Sequence, residues 1–397
     1  MRLKLLLPPV RPDVYEEPAV CPSKGCDGRH FHLRQESLKP LRDTLFPAVV
    51  AHRYECLRCG DTFRVYPTGV SRAQTSARLR GLGVLFYILG MSYGAASLAL
   101  RALGHPLCKT AVYDAVQAAG EKVHGLRRYA VQLPTGKRRV AALGADLTSV
   151  MCKGKPLSVG VMVDAQGGVA VTVDILDNAE AQTLKKWVKE VAEAVGAEVL
   201  VSDDADGFKT AADENGMRQQ VCKAHVMRNT GYWVEKMKPQ LARDTDGSLG
   251  AIGVKPEQAV ADCETLLRLI AERQPGTEAE ELLEAIHLRY IAAPPPRREA
   301  EEKVEMTLAY RLRLFSLDRW NLWPRLTFYR TWQDEHGARL DGTNNATERA
   351  IGWWVKERYR TMRGYKRNQS VLNVSRLIAW AGSQLNTGGA KLAMVVS

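Results

Sequence analysis

Three acidic residues stand at predicted element boundaries where they could together hold divalent cations. Asp203 ends a run of strand-forming residues at 198–201, and Asp146 follows an apolar run at 140–145. Glu348 lies far downstream, at the start of a predicted helix. Carboxylates at the carboxyl ends of buried strands are where α/β sheets present their chemistry. We therefore interpret these three acids as one metal-binding triad assembled from distant parts of the chain.

Such a triad suits phosphoryl transfer. Two magnesium ions about 3.5–4 Å apart hold the attacking and leaving oxygens of an in-line displacement. Mg²⁺, like Mn²⁺, prefers oxygen ligands, so a few carboxylates and a substrate phosphate suffice. Two alternatives stay open from the residues alone: Asp204 or Asp206 could replace Asp203, and Glu348 could serve only in a capping box begun by Asn345.

Further polar residues flank the predicted triad. Cys222 and His225 form a Cys-x-x-His sequence, which is either half of a zinc site or a histidine that positions water or phosphate above a packed cysteine. We prefer the second interpretation. After Glu348, basic residues recur at helical spacing. They form either a surface that binds a phosphate backbone or a solvated face of the helix. They are Arg349, Lys356, Arg360 and Arg363.

Two cysteine pairs near the amino terminus predict a separate structural zinc site. The predicted ligands are Cys21, Cys26, Cys56 and Cys59. Four thiolates satisfy a tetrahedral zinc and leave no open position for a substrate. The first pair is more widely spaced than usual, so His30 and His32 remain possible zinc ligands in place of a cysteine. The other alternative is that the cysteines are unpaired buried thiols with no metal.

Composition indicates a polyanionic partner. The 397 residues carry a formal net charge of +12, for which nucleic acid is the first candidate. The length predicts two to three domains of about 100–200 residues. The apolar stretch at the amino terminus is too short for a secretory signal and is broken by prolines. The longest apolar region, 84–103, is interrupted by polar residues and so does not predict a membrane span. We expect an intracellular protein with no membrane span.

Residues 71–124 predict three short helices with a Gly/Pro turn before the last, as in a helix-turn-helix. The last helix would offer Lys109, Thr110 and Tyr113 to a DNA groove. The alternative is a plain three-helix bundle.

The order of the predicted helices and strands that would position these residues indicates a multidomain α+β chain. Strands in hairpin order and then strand–helix alternation predict a mixed sheet with helices on its faces, and an all-helical insertion divides that domain. Within the insertion we predict a long helix over about 298–318. The expected segments are an arm at 1–20, a zinc ribbon at 21–70, a helix-turn-helix at 71–124, a basic linker at 125–139, the sheet domain at 140–229, the insertion at 230–340, and the returning sheet domain at 341–397.

The motifs together resemble a DDE transposase of the Mutator-like and related prokaryotic insertion-sequence group. The resemblance rests on Val-Ser-Asp at 201–203, Gly-Phe-Lys at 207–209, Cys-x-x-His at 222–225, Thr-x-Asn-x-x-Glu-Arg at 343–349, and Gly-Tyr-Lys at 364–366. Their order matches over residues 140–385. A zinc ribbon and helix-turn-helix ahead of that core resemble the end-binding region of the group.

The resemblance implies an RNase H-like catalytic domain with Asp146, Asp203 and Glu348 as its triad and His225 as an accessory residue. Asp164 and Asp174 are fallbacks for Asp146. It further implies a magnesium- or manganese-dependent enzyme that binds double-stranded DNA at element ends and at a target. A homodimer or larger assembly in a prokaryotic cytoplasm, associated with the nucleoid, is expected. A silent DNA-binding regulator and an RNase H-like nuclease without strand transfer are the alternatives.

Overall fold

A computed structural model describes residues 7–123, 140–272, 278–296, 306–360, 364–386 and 392–396. Within these residues the chain is a mixed α/β protein with three β-sheets. The predicted basic linker at 125–139 and the predicted DNA contact Arg363 lie outside them, as does the side chain of Arg360.

The amino-terminal region combines two small antiparallel sheets with three helices. One sheet has the strand order β2-β3-β4 and the other pairs β1 with β5. The strands are β1 (Arg11–Tyr15), β2 (Phe31–Pro40), β3 (Ala48–Cys56), β4 (Thr62–Val65) and β5 (Pro67–Thr68). The helices are α1 (Ala77–Ile88), α2 (Tyr93–Ala102) and α3 (Lys109–Lys122). Ser76 and Ser92 cap the first two helices through their hydroxyl groups.

A five-stranded mixed sheet forms the centre, in the order β10-β9-β6-β7-β8. Strands β6 (Ala142–Cys152), β7 (Lys155–Asp164) and β8 (Ala170–Leu176) are antiparallel neighbours. Strands β9 (Val199–Ser202) and β10 (Arg218–Val221) join β6 in parallel. The β6–β7 hairpin turns at Lys153 and Gly154, which both have positive φ, as a tight two-residue hairpin requires.

Helices cover both faces of this sheet because successive strand residues point to opposite sides. On one face, Val161 and Val163 of β7 share a core with α1–α3 and with α13 (Asn368–Asn386). On the other, Met162 packs with α4 (Ala181–Val195) and α5 (Asp206–Glu214). The three amino-terminal helices are thus continuous in packing with the central sheet.

The all-helical segment after β10 has a hydrophobic core of its own. Its helices are α6 (Lys223–Leu241), α7 (Ser248–Ala251), α8 (Pro256–Ala271), α9 (Ala279–Tyr290) and α10 (Leu308–Thr327). The helix predicted over about 298–318 instead begins at Leu308, after the N-cap residue Thr307, and continues to Thr327, with Pro324 inside it. Leu322 and Leu326 extend its buried face, and this packing outweighs the effect of the proline.

The chain then returns to the central sheet through α11 (Asn345–Ala350), a π-helical turn (Ile351–Lys356), α12 (Glu357–Arg360) and α13. Short 3₁₀ turns lie at Phe328–Arg330 and Leu392–Met394. Among the described residues, no helix combines the length and apolar character needed to cross a membrane.

Candidate functional site

The register of the central sheet brings Asp146 and Asp203 together. Strands β6 and β9 pair in parallel up to Gly144 opposite Val201. Two residues further along each strand come Asp146 and Asp203, at the point where β9 has ended and β6 continues beside β7, and the charge of Asp203 acts on Asp146. Asp203 follows the end of β9, as the sequence predicted, whereas Asp146 lies inside β6 and not at a strand end, because β6 continues its pairing with β7 as far as Cys152.

The two adjacent aspartates after β9 have different surroundings. Asp204 lies 2.8 Å from Lys209 Nζ and 3.8 Å from Arg319 Nη1. Asp203 accepts a hydrogen bond from the Ala205 backbone N–H at 3.2 Å, and its charge acts on Asp146. Because these two cations face Asp204, we take Asp203 as the member of the acidic cluster.

The fallback residues for Asp146 are engaged elsewhere. Asp174 accepts hydrogen bonds from Trp187 Nε1 at 2.9 Å and from Arg376 Nη2 at 2.9 Å. Asp164 accepts from the Gln166 backbone N–H at 3.1 Å, within the turn between β7 and β8. These bonds are typical of packing and turn formation, which leaves Asp146 as the first acid of the candidate site.

A buried asparagine positions the helix that carries Glu348. Asn344 is the N-cap residue of α11, and its Nδ2 donates to the carbonyl oxygen of Ala145, next to Asp146, at 2.9 Å. Its Oδ1 accepts from Thr347 Oγ1 at 2.6 Å. The predicted capping box would have begun one residue later, at Asn345. The observed bonds tie the start of α11 to β6 and so fix Glu348 beside Asp146.

We expect Gly144→Ala to separate Glu348 from Asp146. A Cβ at this position would lie 2.3 Å from Thr347 Oγ1 and 3.0 Å from Asn344 Oδ1, so α11 must move away from β6. Overpacking of this kind lowers the free energy of unfolding by about 1–3 kcal/mol. Urea unfolding and Mn²⁺ titration measure the two effects. Gly231→Ala is the matched control, because its nearest neighbour would be 3.9 Å away within helix α6. Equal stability and Mn²⁺ affinity in both variants would contradict this role of Gly144.

His225 faces Glu348 across the site. Its Nδ1 lies 3.4 Å from Glu348 Oε1, and both atoms are buried with no hydrogen-bond partner among the described residues. Unsatisfied buried polar atoms are costly and commonly mark a bound ion or ligand. Residues from three elements, β6, α6 and α11, thereby supply polar atoms that converge on one point.

Cys222 is close enough to join a ligand set with His225 and Glu348, whose donor atoms all lie within 4.8 Å of its sulfur. The Cys222 sulfur, however, accepts the Asn344 backbone N–H at 3.2 Å. Burial, the largest influence, raises the pKa of this thiol. A protonated thiol engaged with backbone N–H groups is a poor metal ligand, since the thiolate is the form that binds. We therefore assign Cys222 to holding the starts of α6 and α11 together.

Burial raises the pKa of Asp146 to about 6. The carboxylates of Asp203 and Glu348 also raise it, with smaller effects than burial. The Leu147 backbone N–H and His225 act in the opposite direction. Concentrated negative charge of this kind is favourable only when a cation is bound.

We expect Asp146→Asn to stabilise the protein in the absence of added Mg²⁺. Because the folded-state pKa of Asp146 exceeds its unfolded-state value, the wild type loses stability as the pH rises from about 4 through 6, and asparagine cannot ionise. The gain of the variant over wild type should grow by about 1 kcal/mol between about pH 5 and pH 7.5. Urea unfolding at the two pH values measures it, and a difference independent of pH would contradict the assignment.

The amino-terminal cysteines form a second candidate metal centre, as the sequence predicted. The donor sulfurs of Cys21, Cys26, Cys56 and Cys59 all lie within 4.8 Å of one another. The Cys59 backbone N–H is the main influence that lowers the pKa of Cys56, to about 7. A Cβ on Gly28 would lie 2.6 Å from the Cys56 sulfur, so glycine leaves room around the cluster. The arrangement is compatible with a structural zinc ion.

The predicted DNA-binding residues are spread over two regions. Lys109 and Thr110 are exposed at the start of α3, and Arg349 and Lys356 are exposed after Glu348. Tyr113 is half-buried instead, with its hydroxyl 3.1 Å from Ser370 Oγ of α13. The structure therefore places Tyr113 in the packing between α3 and α13.

Two residues near the site were missed by sequence reasoning. Arg319 reaches from the helical insertion to Asp204, and its Nε also donates to Thr230 Oγ1 at 3.0 Å. No local pattern marks an arginine in an amphipathic helix for this contact. Asn344 had a signal, because paired asparagines precede Glu348, but only the structure shows that the first of them reaches β6.

No protein-family model matches this chain, and no curated protein matches it.

Proposed function

We propose that this protein is a DDE-type DNA transposase with an RNase H-like catalytic domain. The observation that carries the proposal is the convergence of Asp146, Asp203 and Glu348 at one edge of the central sheet. A mixed sheet with helices on both faces, interrupted by a helical segment, agrees with the architecture that the sequence motifs imply. The net charge of +12 supports a nucleic-acid substrate.

The three carboxylates are the residues that would hold Mg²⁺ or Mn²⁺. Their oxygen donors and their unneutralised charge fit a hard divalent cation. When bound, such ions activate the attacking hydroxyl group and neutralise charge on the scissile phosphate. His225 would orient Glu348 through its Nδ1, and Asn344 would keep that helix against β6.

The proposed substrates are double-stranded DNA at the ends of a mobile element and a target DNA. Water would hydrolyse a phosphodiester at the element end and leave a 3′-hydroxyl and a 5′-phosphate. That 3′-hydroxyl would then attack a target phosphodiester, form a new ester bond and displace the 3′-oxygen of the target strand. Exposed Lys109, Thr110, Arg349 and Lys356 are candidates for phosphate contacts. Because two ends must be joined together, we propose a homodimer or larger assembly on DNA.

Strand cleavage and joining on plasmid DNA carrying the element ends, in the presence of Mg²⁺, tests the proposal. Joined products support transposition, whereas cleavage without joining indicates a nuclease. Binding without either reaction indicates a regulator. Binding affinity should fall steeply with salt because phosphate contacts release counterions. A salt-independent affinity would remove the premise of a DNA substrate.

A further inference from the structure

Two cations face the carboxylate of Asp204, one at each oxygen. Lys209 Nζ, from α5, lies 2.8 Å from Oδ1, and Arg319 Nη1, from α10, lies 3.8 Å from Oδ2. The side chain of Asp204 is only 19% exposed, so water and salt screen these contacts less than they screen a surface ion pair. The two cations therefore restrain the direction in which the Asp204 side chain points.

Arg319 is itself held in place by the helical insertion. It is 7% exposed, and its Nε donates to Thr230 Oγ1 of α6 at 3.0 Å. Its guanidinium carbon lies 4.8 Å from the centre of the Phe315 ring. A guanidinium buried to this degree needs carboxylate partners, and Asp318 and Asp204 supply them. The packing of the insertion thus determines where Arg319 meets Asp204.

Asp204 is close enough to the candidate site to compete for a cation there, because it directly follows Asp203. Neighbouring Cα atoms are about 3.8 Å apart across a trans peptide bond. Both aspartates lie in the short segment between β9 and α5, after the regular strand has ended. Without its two cations, the Asp204 side chain would be free to turn toward a divalent cation bound by Asp203.

The number of carboxylates around a divalent cation sets both its affinity and its reactivity. Each added negative ligand tightens the binding of the cation. The same added charge weakens the ability of the cation to stabilise negative charge on a phosphate. A site with one carboxylate too many would therefore bind Mg²⁺ or Mn²⁺ more tightly and react more slowly.

We propose that Arg319, together with Lys209, withholds Asp204 from the metal, so that the doubled aspartate presents only the carboxylate of Asp203. This inference rests on the proposed function and adds to it a residue of the helical insertion that decides the ligand set. Arg319 touches neither metal nor substrate on this assignment. It is a positioning residue that acts through Asp204.

Mn²⁺ binding to the full-length protein without DNA provides the first test, since the electron paramagnetic resonance signal of free Mn²⁺ is lost on binding. Arg319→Gln should bind Mn²⁺ roughly fivefold more tightly than the wild type. Asp204→Asn should bind Mn²⁺ like the wild type, and so should the double variant Arg319→Gln/Asp204→Asn. In single-turnover cleavage, Arg319→Gln should be roughly tenfold slower with unchanged DNA affinity. A merely structural role would not combine tighter metal binding with slower chemistry.

Arg325→Gln is the matched control, because Arg325 lies in the same helix and also joins the insertion to the sheet domain. Its Nη2 lies 2.8 Å from Asp213 of α5, and its Nη1 donates to Gln219 of β10 at 2.6 Å. This variant should leave Mn²⁺ affinity unchanged.

Lys209→Gln carries the test if Arg319→Gln does not fold. The side chain of Lys209 is 24% exposed and faces the other oxygen of Asp204. Its loss should tighten Mn²⁺ binding in the wild-type background and have no effect on Mn²⁺ binding in the Asp204→Asn background.

Two results would overturn the inference while leaving the transposase proposal intact. One is wild-type Mn²⁺ affinity in Arg319→Gln. The other is a tightening that persists in the double variant, which would be a through-space effect of the lost charge and not a release of Asp204. A wild type that shows the expected Mn²⁺ pattern but does not cleave element-end DNA would instead count against the transposase proposal alone.

Discussion

Asp146→Asn, Asp203→Asn and Glu348→Gln are each expected to abolish Mg²⁺-dependent strand cleavage while leaving DNA binding intact. Each change removes one negative oxygen ligand from the cluster at the end of β9. Losing metal-mediated stabilisation of several kcal/mol in the transition state corresponds to a rate loss of roughly 10³-fold or more. Single-turnover cleavage of end-labelled DNA measures the chemistry, and a gel-shift titration measures the binding.

Neighbouring aspartates provide matched controls for this experiment. Asp206 has a 98% exposed side chain, so Asp206→Asn should cleave DNA like the wild type. Asp204→Asn tests the ion pairs with Lys209 and Arg319 instead, and we expect a loss of stability larger than its loss of cleavage. Normal cleavage by Asp203→Asn together with inactive Asp204→Asn would show that Asp204 is the metal ligand.

The regular elements of the central sheet could be predicted because each carries a strong local pattern. Apolar runs rich in valine predict β6, β7, β8 and β9, and the strand–helix alternation that follows predicts helices on the faces of the sheet. The predicted bounds of α10 were wrong, because the sequence gives no measure of the tertiary packing around Leu322 and Leu326 that carries this helix past Pro324.

The candidate site was less accessible to sequence reasoning, since its parts come from separate elements. The sequence indicated each acid separately, Asp146 and Asp203 from predicted strand ends and Glu348 from a predicted helix start. Our choice of Asp203 over Asp204 rests on two long side chains that face Asp204, and one of them, Arg319, lies in a helix more than a hundred residues away. The close approach of Thr347 to Gly144 likewise depends on how α11 crosses β6, which no local pattern encodes.

The four amino-terminal cysteines are expected to bind one Zn²⁺ per chain, and Cys56→Ser should unfold the region around β2–β4. The β2–β4 sheet, which holds Cys56 at the end of β3 and adjoins the other three cysteines, has several exposed apolar residues, including Leu33, Leu38 and Val50, so its own core is small. Structural zinc typically supplies the folding free energy of such units, with dissociation constants on the order of nanomolar or tighter. Metal analysis of the purified protein and limited proteolysis measure the two effects.

Cys108→Ser is the matched control for the zinc experiment. Cys108 is exposed at the start of α3 and lies outside the sulfur cluster, so serine there should leave both zinc content and protease resistance unchanged. Full zinc content in Cys56→Ser would contradict the four-thiolate site. A zinc-free variant that still resists proteolysis would show that the sheet folds without metal, and the cysteines would then need a role other than holding this sheet together.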